Sequence, residues 1–271
     1  MNNTTIGFIG AGNMANSLIR GLLAKGSQPS SIIVADVDSE KLEVLSSECG
    51  IRLADNQSIA REANVVVLAV KPQVMEEVCS NISLRADSSL VVSVAAGTTV
   101  ALLEKWLGDN TAIVRCMPNT PALVGKGATG LFANEFVSGE QKDLAKTLMD
   151  GVGISVWVEN ESDIDTVTAV SGSGPAYYFL FMEAMQETAA ELGLSDDVAR
   201  QLIYQTALGA ADLAMKSTDS IAELRRKVTS PNGTTEVAIK SFEADQLREL
   251  VRKALTAARD RSIELAKETN N

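Results

Sequence analysis

Short apolar segments alternate with longer amphipathic segments over the first part of the chain. The short segments are rich in Val and Ile and are typical of strands: Thr5–Ile9, Ser31–Val37, Asn64–Val70, Ser89–Val94, Thr111–Cys116 and Ile154–Val158. Apolar residues recur every three or four positions in the longer segments, as in surface helices: Asn13–Lys25, Ser39–Cys49, Gln73–Cys79, Thr99–Leu107 and Gly139–Asp150. This alternation predicts an α/β domain in which helices cover a doubly wound parallel sheet.

The pattern changes after residue 162, where strand-like segments end and Ala-rich helical segments begin: Pro175–Leu192, Asp196–Lys216, Ser220–Val228 and Thr235–Glu268. We therefore predict an α/β domain over residues 1–162 and an all-α domain over residues 163–271. Two of these segments are apolar on more than one helix face: Tyr177–Met185 and Leu202–Leu213. This is more apolar surface than a small domain can bury by itself. We expect a homodimer built through these helices, although enclosure by the same chain would also account for the pattern.

Composition excludes several classes of protein. The 271 residues are 45% hydrophobic, enough for a sizeable core, and the net charge of -11 disfavours nucleic acid as a partner. Apolar runs such as Val65–Val70 are too short to span a membrane, and no secretory signal is recognisable at the N-terminus. Cys49, Cys79 and Cys116 are isolated, as reduced thiols of a cytoplasmic protein would be.

The chain contains no histidine. Histidine is the commonest general acid or base and the commonest metal ligand in proteins. Any chemistry must therefore proceed without imidazole, and we expect no metal.

A glycine-rich turn follows the first predicted strand and opens a helical segment, which is the context that a G-x-G-x-x-G/A match requires. The first glycine allows a tight turn, the second lets a pyrophosphate approach the backbone, and the final alanine permits close packing of helix on strand. Such a match predicts a Rossmann domain whose cofactor-binding residues include Gly10, Ala11, Gly12, Asn13, Met14 and Ala15.

Asp36 ends the second predicted strand, 21 residues after Ala15. A carboxylate there accepts hydrogen bonds from the adenosine ribose and repels a 2′-phosphate. No arginine follows in Asp36–Asp38, so the residues favour NADH over NADPH, although a solvated aspartate would look the same.

Other predicted strands end in segments that the fold would bring to the same edge of the sheet, where ligands of open α/β sheets bind. Taken alone, each is a turn that could line the site: Ala69, Val70, Lys71 and Pro72; Ala95, Ala96 and Gly97; and Met117–Pro121. In the second half, Ser171–Tyr177 reads as a helix start, and Val228–Glu236 is a hydroxyl-rich turn whose amides could hold a carboxylate.

Together these segments resemble the pyrroline-5-carboxylate reductase family over nearly the whole chain. The resemblance is carried by GFIGAGNMA at Gly7–Ala15, AVKP at Ala69–Pro72, SVAAG at Ser93–Gly97, RCMPNTPALV at Arg115–Val124, SGSGPAY at Ser171–Tyr177 and VTSPNGTTEVAI at Val228–Ile239. It implies reduction of 1-pyrroline-5-carboxylate to L-proline by NADPH or NADH, and dimers, often assembled further, whose helical domains meet at the substrate pocket.

The resemblance also implies roles for individual residues. The backbone amides of Gly233 and Thr234 would bind the substrate carboxylate, with Ser230 beside them. Thr235 and Ser230 would be the catalytic residues, Thr235 placing its hydroxyl at the ring nitrogen. Asn56 would join the cofactor-binding set. Two positions depart from the family pattern: Asp36 puts the common NADPH preference in question, and Asn232 replaces a glycine. Asn tolerates the left-handed backbone region, so the turn is expected to survive.

Two other functions compete with this prediction. A β-hydroxyacid dehydrogenase-like enzyme would carry a catalytic lysine on the interdomain helix, but Ala176–Leu192 contains no lysine. A non-catalytic dinucleotide sensor would keep the fold without turnover, and the intact hydroxyl-rich turn Ser230–Thr235 counts against it.

Overall fold

The fold was analysed in a computed structural model that describes residues 4–85 and 89–269, so the extreme ends of the predicted domains at residues 1 and 271 lie outside the described residues. One sheet contains β1 to β8: Ile6–Ile9, Ile32–Ala35, Arg52–Leu53, Val65–Leu68, Leu90–Ser93, Ala112–Met117, Gly127–Ala133 and Gly153–Trp157. Its spatial order is β3-β2-β1-β4-β5-β6-β7-β8. Every pairing is parallel except β6 with β7, which confirms the predicted doubly wound domain.

The helices α1 to α7 accompany the sheet: Asn13–Ala24, Ser39–Cys49, Asn56–Glu62, Met75–Ser80, Val100–Leu107, Gly139–Met149 and Asp163–Val167. A π-helical turn at Thr168–Gly172 follows α7. The helices α8 to α12 then complete the described chain: Gly174–Glu191, Asp196–Lys216, Ile221–Lys227, Thr234–Ala244 and Leu247–Thr269. No strand follows β8 in the part of the chain that the structure describes, as the sequence predicts.

Two apolar cores lie on the two faces of the sheet, because successive side chains of a strand point to opposite faces. Phe8 belongs to the core that includes α1 and α6, whereas its neighbour Ile9 belongs to the core that includes α3 and α5. The strands β1, β4 and β5 are buried on both faces, which explains why their sequences are almost entirely apolar. The central strands are therefore rigid supports for the turns at their ends.

The described chain packs as two units. One comprises the chain up to Pro175 together with its end from Ala257 onward, and the other comprises Ala176–Thr256. The C-terminal part of α12 thus packs with the sheet unit, where the Ser262 hydroxyl donates a 2.7 Å hydrogen bond to Asp165. The sequence boundary at residue 162 marks the end of the strands, whereas the compact units divide later.

Several elements differ from the sequence predictions. The sequence did not predict three elements: the edge strand β3, helix α3 and strand β7. Strand β3 has only two residues, and strand β7 contains two glycines. The predicted helix Thr235–Glu268 is divided at Gln246, whose positive φ of 57° ends α11 and redirects the chain into α12. Left-handed backbone at a non-glycine residue has no clear signature in a helical hydrophobic pattern.

Neither a membrane-crossing helix nor a metal-binding cluster is found in the described chain. None of the helices over residues 4–85 and 89–269 combines the length and the apolar character that a membrane span requires. The same residues contain no group of three or more Cys, Asp or Glu side chains arranged to hold a metal ion.

Candidate active site

The glycine-rich turn after β1 is held tightly against the neighbouring strand end. Gly10 adopts a φ of 102°, and a Cβ added to it would lie 2.7 Å from both the carbonyl carbon and oxygen of Ala69. The N–H of Gly10 donates to the carbonyl of Ala35 at 2.8 Å. Only glycine combines this backbone conformation with so close an approach.

Gly12 differs from Gly10, because a Cβ added there would meet no heavy atom within 4 Å. Gly12 is the N-cap of α1 in extended conformation, and Asn13, Met14 and Ala15 form the first turn of the helix. First-turn amides have no acceptor within their own helix and lie at the positive end of its dipole. This open, amide-lined space fits the pyrophosphate of a dinucleotide.

Asp36 is connected directly to the glycine-rich turn. Its Oδ2 accepts a 2.6 Å hydrogen bond from the N–H of Ala11, and its Oδ1 accepts a 3.0 Å bond from the N–H of Asp38. The carboxylate therefore both organises the turn and places negative charge at the end of β2.

The remaining predicted cofactor segments lie at the same edge of the sheet. Ala69–Pro72 follows β4 and Ala95–Gly97 follows β5, and Ala69 N–H donates to the carbonyl of Ile9 at 2.8 Å. Asn56 begins α3 directly after the short edge strand β3, with Asp55 as N-cap. Because these strands are parallel neighbours, the structure brings all the predicted cofactor residues to one carboxyl edge.

The hydroxyl-rich turn before α11 belongs to the second unit. Asn232 has a φ of 60°, and its N–H donates a 2.7 Å hydrogen bond to Oε2 of Glu236. The left-handed turn expected of Asn232 is therefore confirmed. Hydrogen bonds to the side chain of Lys240 and to the amide of Asn232 lower the pKa of Glu236, so its carboxylate stays ionised and caps the turn.

Gly233 and Ser230 close the turn against each other. The N–H of Gly233 donates to the carbonyl of Ser230 at 3.0 Å, and a Cβ on Gly233 would meet Ser230 Oγ at 2.6 Å. The amide of Gly233 is thus engaged inside the turn. Thr234 and Thr235 form the first turn of α11, so their amides are the ones directed to an external acceptor.

Two further polar side chains make contacts that the sequence does not indicate, although Asn119 lies in the predicted site segment Met117–Pro121. Asn119 accepts a 2.9 Å hydrogen bond from the N–H of Ala128 and donates a 3.0 Å bond to the carbonyl of Ser171, so it links the loop after β6 to the π-helical turn. Arg115 and Glu161 form an ion pair in the same unit. Arg115 lies within the quoted RCMPNTP segment, but nothing in the pattern indicates its distant partner Glu161.

A glycine-rich turn, an acidic residue after the second strand and an all-α region after the sheet define a class: dinucleotide-dependent oxidoreductases with a helical second region. The profile of pyrroline-5-carboxylate reductase dimerisation matches residues 161–265, and that of NADP oxidoreductase, coenzyme F420-dependent, matches residues 5–97. A pyrroline-5-carboxylate reductase of Pseudomonas aeruginosa is 51% identical over 270 residues, 99% of each chain. The chain belongs to the pyrroline-5-carboxylate reductase family.

Further relatives agree with this assignment. A pyrroline-5-carboxylate reductase of Vibrio alginolyticus is 44% identical, covering 98% of this chain and 99% of its own. The structure of a pyrroline-5-carboxylate reductase from Coxiella burnetii has a TM-score of 0.93 at 49% identity, over 97% of this chain and 99% of that one. The Plasmodium falciparum pyrroline carboxylate reductase, solved with NADP bound, has a TM-score of 0.86 at 29% identity, over 98% and 99%.

Proposed function

We propose that this chain is the reductase that converts 1-pyrroline-5-carboxylate to L-proline with NAD(P)H, the last step of proline biosynthesis. The observation that carries the proposal is the combination, in one chain, of the open amide-lined turn at Gly12 and the Thr234–Thr235 amides that begin α11. The first fits a dinucleotide, and the second fits the carboxylate of the imine. We assign dinucleotide binding to residues 1–162, and binding of the substrate and of a second copy of the chain to residues 163–271.

The chain's own residues have to bind and orient the two reactants. When bound, the reduced nicotinamide supplies a hydride. The glycine-rich turn, Asp36, Asn56, Ala69–Pro72 and Ala95–Gly97 hold the dinucleotide, and the turn closed by Ser230 and Gly233 presents the amides that receive the substrate carboxylate. Thr235 holds the ring nitrogen through its hydroxyl.

This chemistry suits a chain with no histidine. The protonated imine already carries the positive charge that its reduction neutralises, so no strong acid is required in the transition state. Reduction of a ketone would instead develop an alkoxide and call for a proton donor. Orientation of two reactants can contribute several kcal/mol, up to about 7–11 kcal/mol in well-oriented intramolecular cases.

The reaction is tested by mixing the purified protein with 1-pyrroline-5-carboxylate and following the loss of NAD(P)H absorbance. We expect absorbance to fall only when the imine is present. No imine-dependent change at full dinucleotide occupancy would identify a binding protein rather than a reductase.

Cofactor preference provides a second prediction. Because Asp36 places negative charge at the end of β2, and Asp38 and Glu40 follow it, we expect NADH to support initial rates at least as high as NADPH at equal concentration. Asp36→Ser should move the rate ratio toward NADPH by about tenfold, the effect of roughly 1.4 kcal/mol. Asp55→Ser, which keeps a capping hydroxyl at the N-cap of α3, should leave the ratio unchanged. A large NADPH advantage in the unaltered protein would overturn the assignment.

The dimer provides a third prediction. Apolar side chains on α8 and α9 are exposed in the single chain, including Phe179 at 64% and Leu208 at 61%. Burial of this apolar surface against a second copy of the chain would stabilise the dimer by about 25 cal/mol per Å² of apolar area. We expect Leu208→Asp to convert dimers to monomers in light scattering after gel filtration. Val44→Asp, at an exposed apolar residue of α2, should leave the mass unchanged, and a dimeric Leu208→Asp variant would contradict this surface.

We further propose that dimers assemble into a larger oligomer and that the enzyme works in the cytoplasm. Cys49, Cys79 and Cys116 are all free thiols, as a reducing compartment maintains them. Burial raises the pKa of Cys79 to about 12, so this thiol stays protonated and unreactive. The same light-scattering experiment measures the number of copies in the assembly.

A further inference from the structure

A largely buried ion pair connects strand β6 to the segment between β8 and α7. Nη1 of Arg115 lies 2.8 Å from Oε1 of Glu161, and the two side chains are 5% and 27% exposed. The same Oε1 accepts a 2.8 Å hydrogen bond from the backbone N–H of Val100. One carboxylate oxygen therefore holds both a guanidinium group and the first amide of α5.

Val100 lies three residues after Gly97, which has a φ of 75°. First-turn amides of a helix need an external acceptor and carry partial positive charge. Thr99 satisfies the amide of Leu102, whereas the amide of Val100 receives its acceptor from Glu161, 61 residues away in sequence. The carboxylate of Glu161 therefore fixes the point at which the Ala95–Gly97 turn joins α5.

The position of Glu161 is itself well determined. Its carbonyl accepts a 3.0 Å hydrogen bond from the N–H of Ile164, the second residue of α7. Arg115 is paired with Ser93, the last residue of β5, in the sheet register. The carboxylate is thus held between α7 and a strand whose neighbour leads directly into the Ala95–Gly97 turn.

We propose that Glu161, oriented by Arg115, is a positioning residue for the nicotinamide dinucleotide. It acts through the amide of Val100 and holds Ala95–Gly97 in the conformation that receives the cofactor. This inference rests on the proposed assignment of Ala95–Gly97 to the dinucleotide. The competing explanation is an ion pair that only stabilises the fold, which would change the melting temperature without changing the dinucleotide affinity.

The test is a titration of the substrate-free protein with NADH and with NADPH, followed by protein fluorescence, together with its melting temperature. Glu161→Ala should weaken dinucleotide binding by about tenfold or more, because a hydrogen bond to a charged group is lost. At saturating dinucleotide, the KM for 1-pyrroline-5-carboxylate should stay within about twofold. Glu161→Gln keeps an acceptor for the Val100 amide but loses the charge that pairs with Arg115, so we expect a smaller loss of affinity, about two- to fivefold.

The matched control is Glu62→Gln, because Glu62 forms an exposed ion pair with Arg52 in the same unit. Its dinucleotide affinity should equal that of the unaltered protein. Glu161→Ala with unaltered affinity and only a lower melting temperature would overturn the proposal. If Glu161→Ala does not fold, Glu161→Gln becomes the test of the proposal. We expect its dinucleotide affinity to fall about two- to fivefold, and an unaltered affinity would overturn the proposal. The titration contains no imine, so absence of imine reduction in the unaltered protein contradicts the proposed function without affecting this result.

Discussion

Gly12→Val is expected to abolish dinucleotide binding while the protein stays folded. A Cβ at Gly12 meets no heavy atom within 4 Å, and its φ of -67° and ψ of -179° suit a branched residue. The added methyl groups project into the space proposed for the pyrophosphate and separate it from the first-turn amides of α1. Since each hydrogen bond to a charged group contributes about 1.5–3 kcal/mol, losing two or more predicts at least a 100-fold loss of affinity.

Two glycine substitutions serve as controls for Gly12→Val. Gly139→Val changes a glycine at the start of α6, where a Cβ also meets open space, and measures the cost of valine at a helix start without a ligand. We expect the melting temperatures of Gly12→Val and Gly139→Val to fall by similar, small amounts. Gly10→Ala should instead destabilise the fold, because its Cβ would lie 2.7 Å from the backbone of Ala69.

The measurement is dinucleotide binding to the free protein, with circular dichroism to confirm the fold. Normal NADH and NADPH affinity in Gly12→Val would show that the pyrophosphate lies elsewhere and would remove the basis for the proposed cofactor site.

The sheet could be predicted from the sequence because its physical cause is local. Strands β1, β4 and β5 are buried on both faces and therefore appear as short, mainly apolar runs. The glycine-rich turn has a backbone requirement at Gly10 that only glycine meets. The residues at the carboxyl ends of these strands could be placed at one edge for the same reason. In a parallel sheet the carboxyl ends of all the strands lie at the same edge.

The residues that could not be predicted depend on contacts distant in sequence. Strand β7 pairs antiparallel with β6 and carries Gly127 and Gly130, which replace the usual Val or Ile; a Cβ at Gly130 would meet Val167 at 2.7 Å. The ion pair between Arg115 and Glu161 joins residues 46 positions apart. Neither relation leaves a periodic signal in the chain, since periodicity reflects only which face of an element is buried.

The hydroxyl-rich turn before α11 could be predicted only in part. The sequence indicates a turn that presents amides, and the φ of 60° at Asn232 confirms its left-handed residue. The hydrogen bond from the amide of Gly233 to the carbonyl of Ser230 is not visible in the sequence, whereas Thr234 and Thr235 lie in the first turn of α11. The role of each residue toward the substrate remains a prediction, and Thr235 offers the most direct test.

Thr235→Ala is expected to lower turnover by about 10- to 100-fold with unchanged dinucleotide affinity. Thr235 is half-buried in the first turn of α11, next to the amides proposed for the carboxylate. Its hydroxyl is proposed to hold the ring nitrogen, and loss of a hydrogen bond to a charged group raises the barrier by about 1.5–3 kcal/mol. The measurement is kcat for 1-pyrroline-5-carboxylate reduction, alongside dinucleotide affinity from titration.

Two hydroxyl variants separate chemistry from local structure in this experiment. Thr235→Ser keeps the hydroxyl and should restore most of the turnover. The hydroxyl of Thr229 donates a 2.6 Å hydrogen bond to the carbonyl of Arg225 in α10, so Thr229→Ala removes a hydroxyl that anchors the start of the turn to α10 and leaves the hydroxyl of Thr235 in place. If Thr229→Ala lowers kcat as much as Thr235→Ala does, or if Thr235→Ala keeps full turnover, the hydroxyl of Thr235 has no chemical role. A large loss confined to Thr235→Ala, with equal falls in kcat and kcat/KM and recovery in Thr235→Ser, would instead support a contact between this hydroxyl and the reacting imine, because an interaction made only in the transition state lowers both quantities equally.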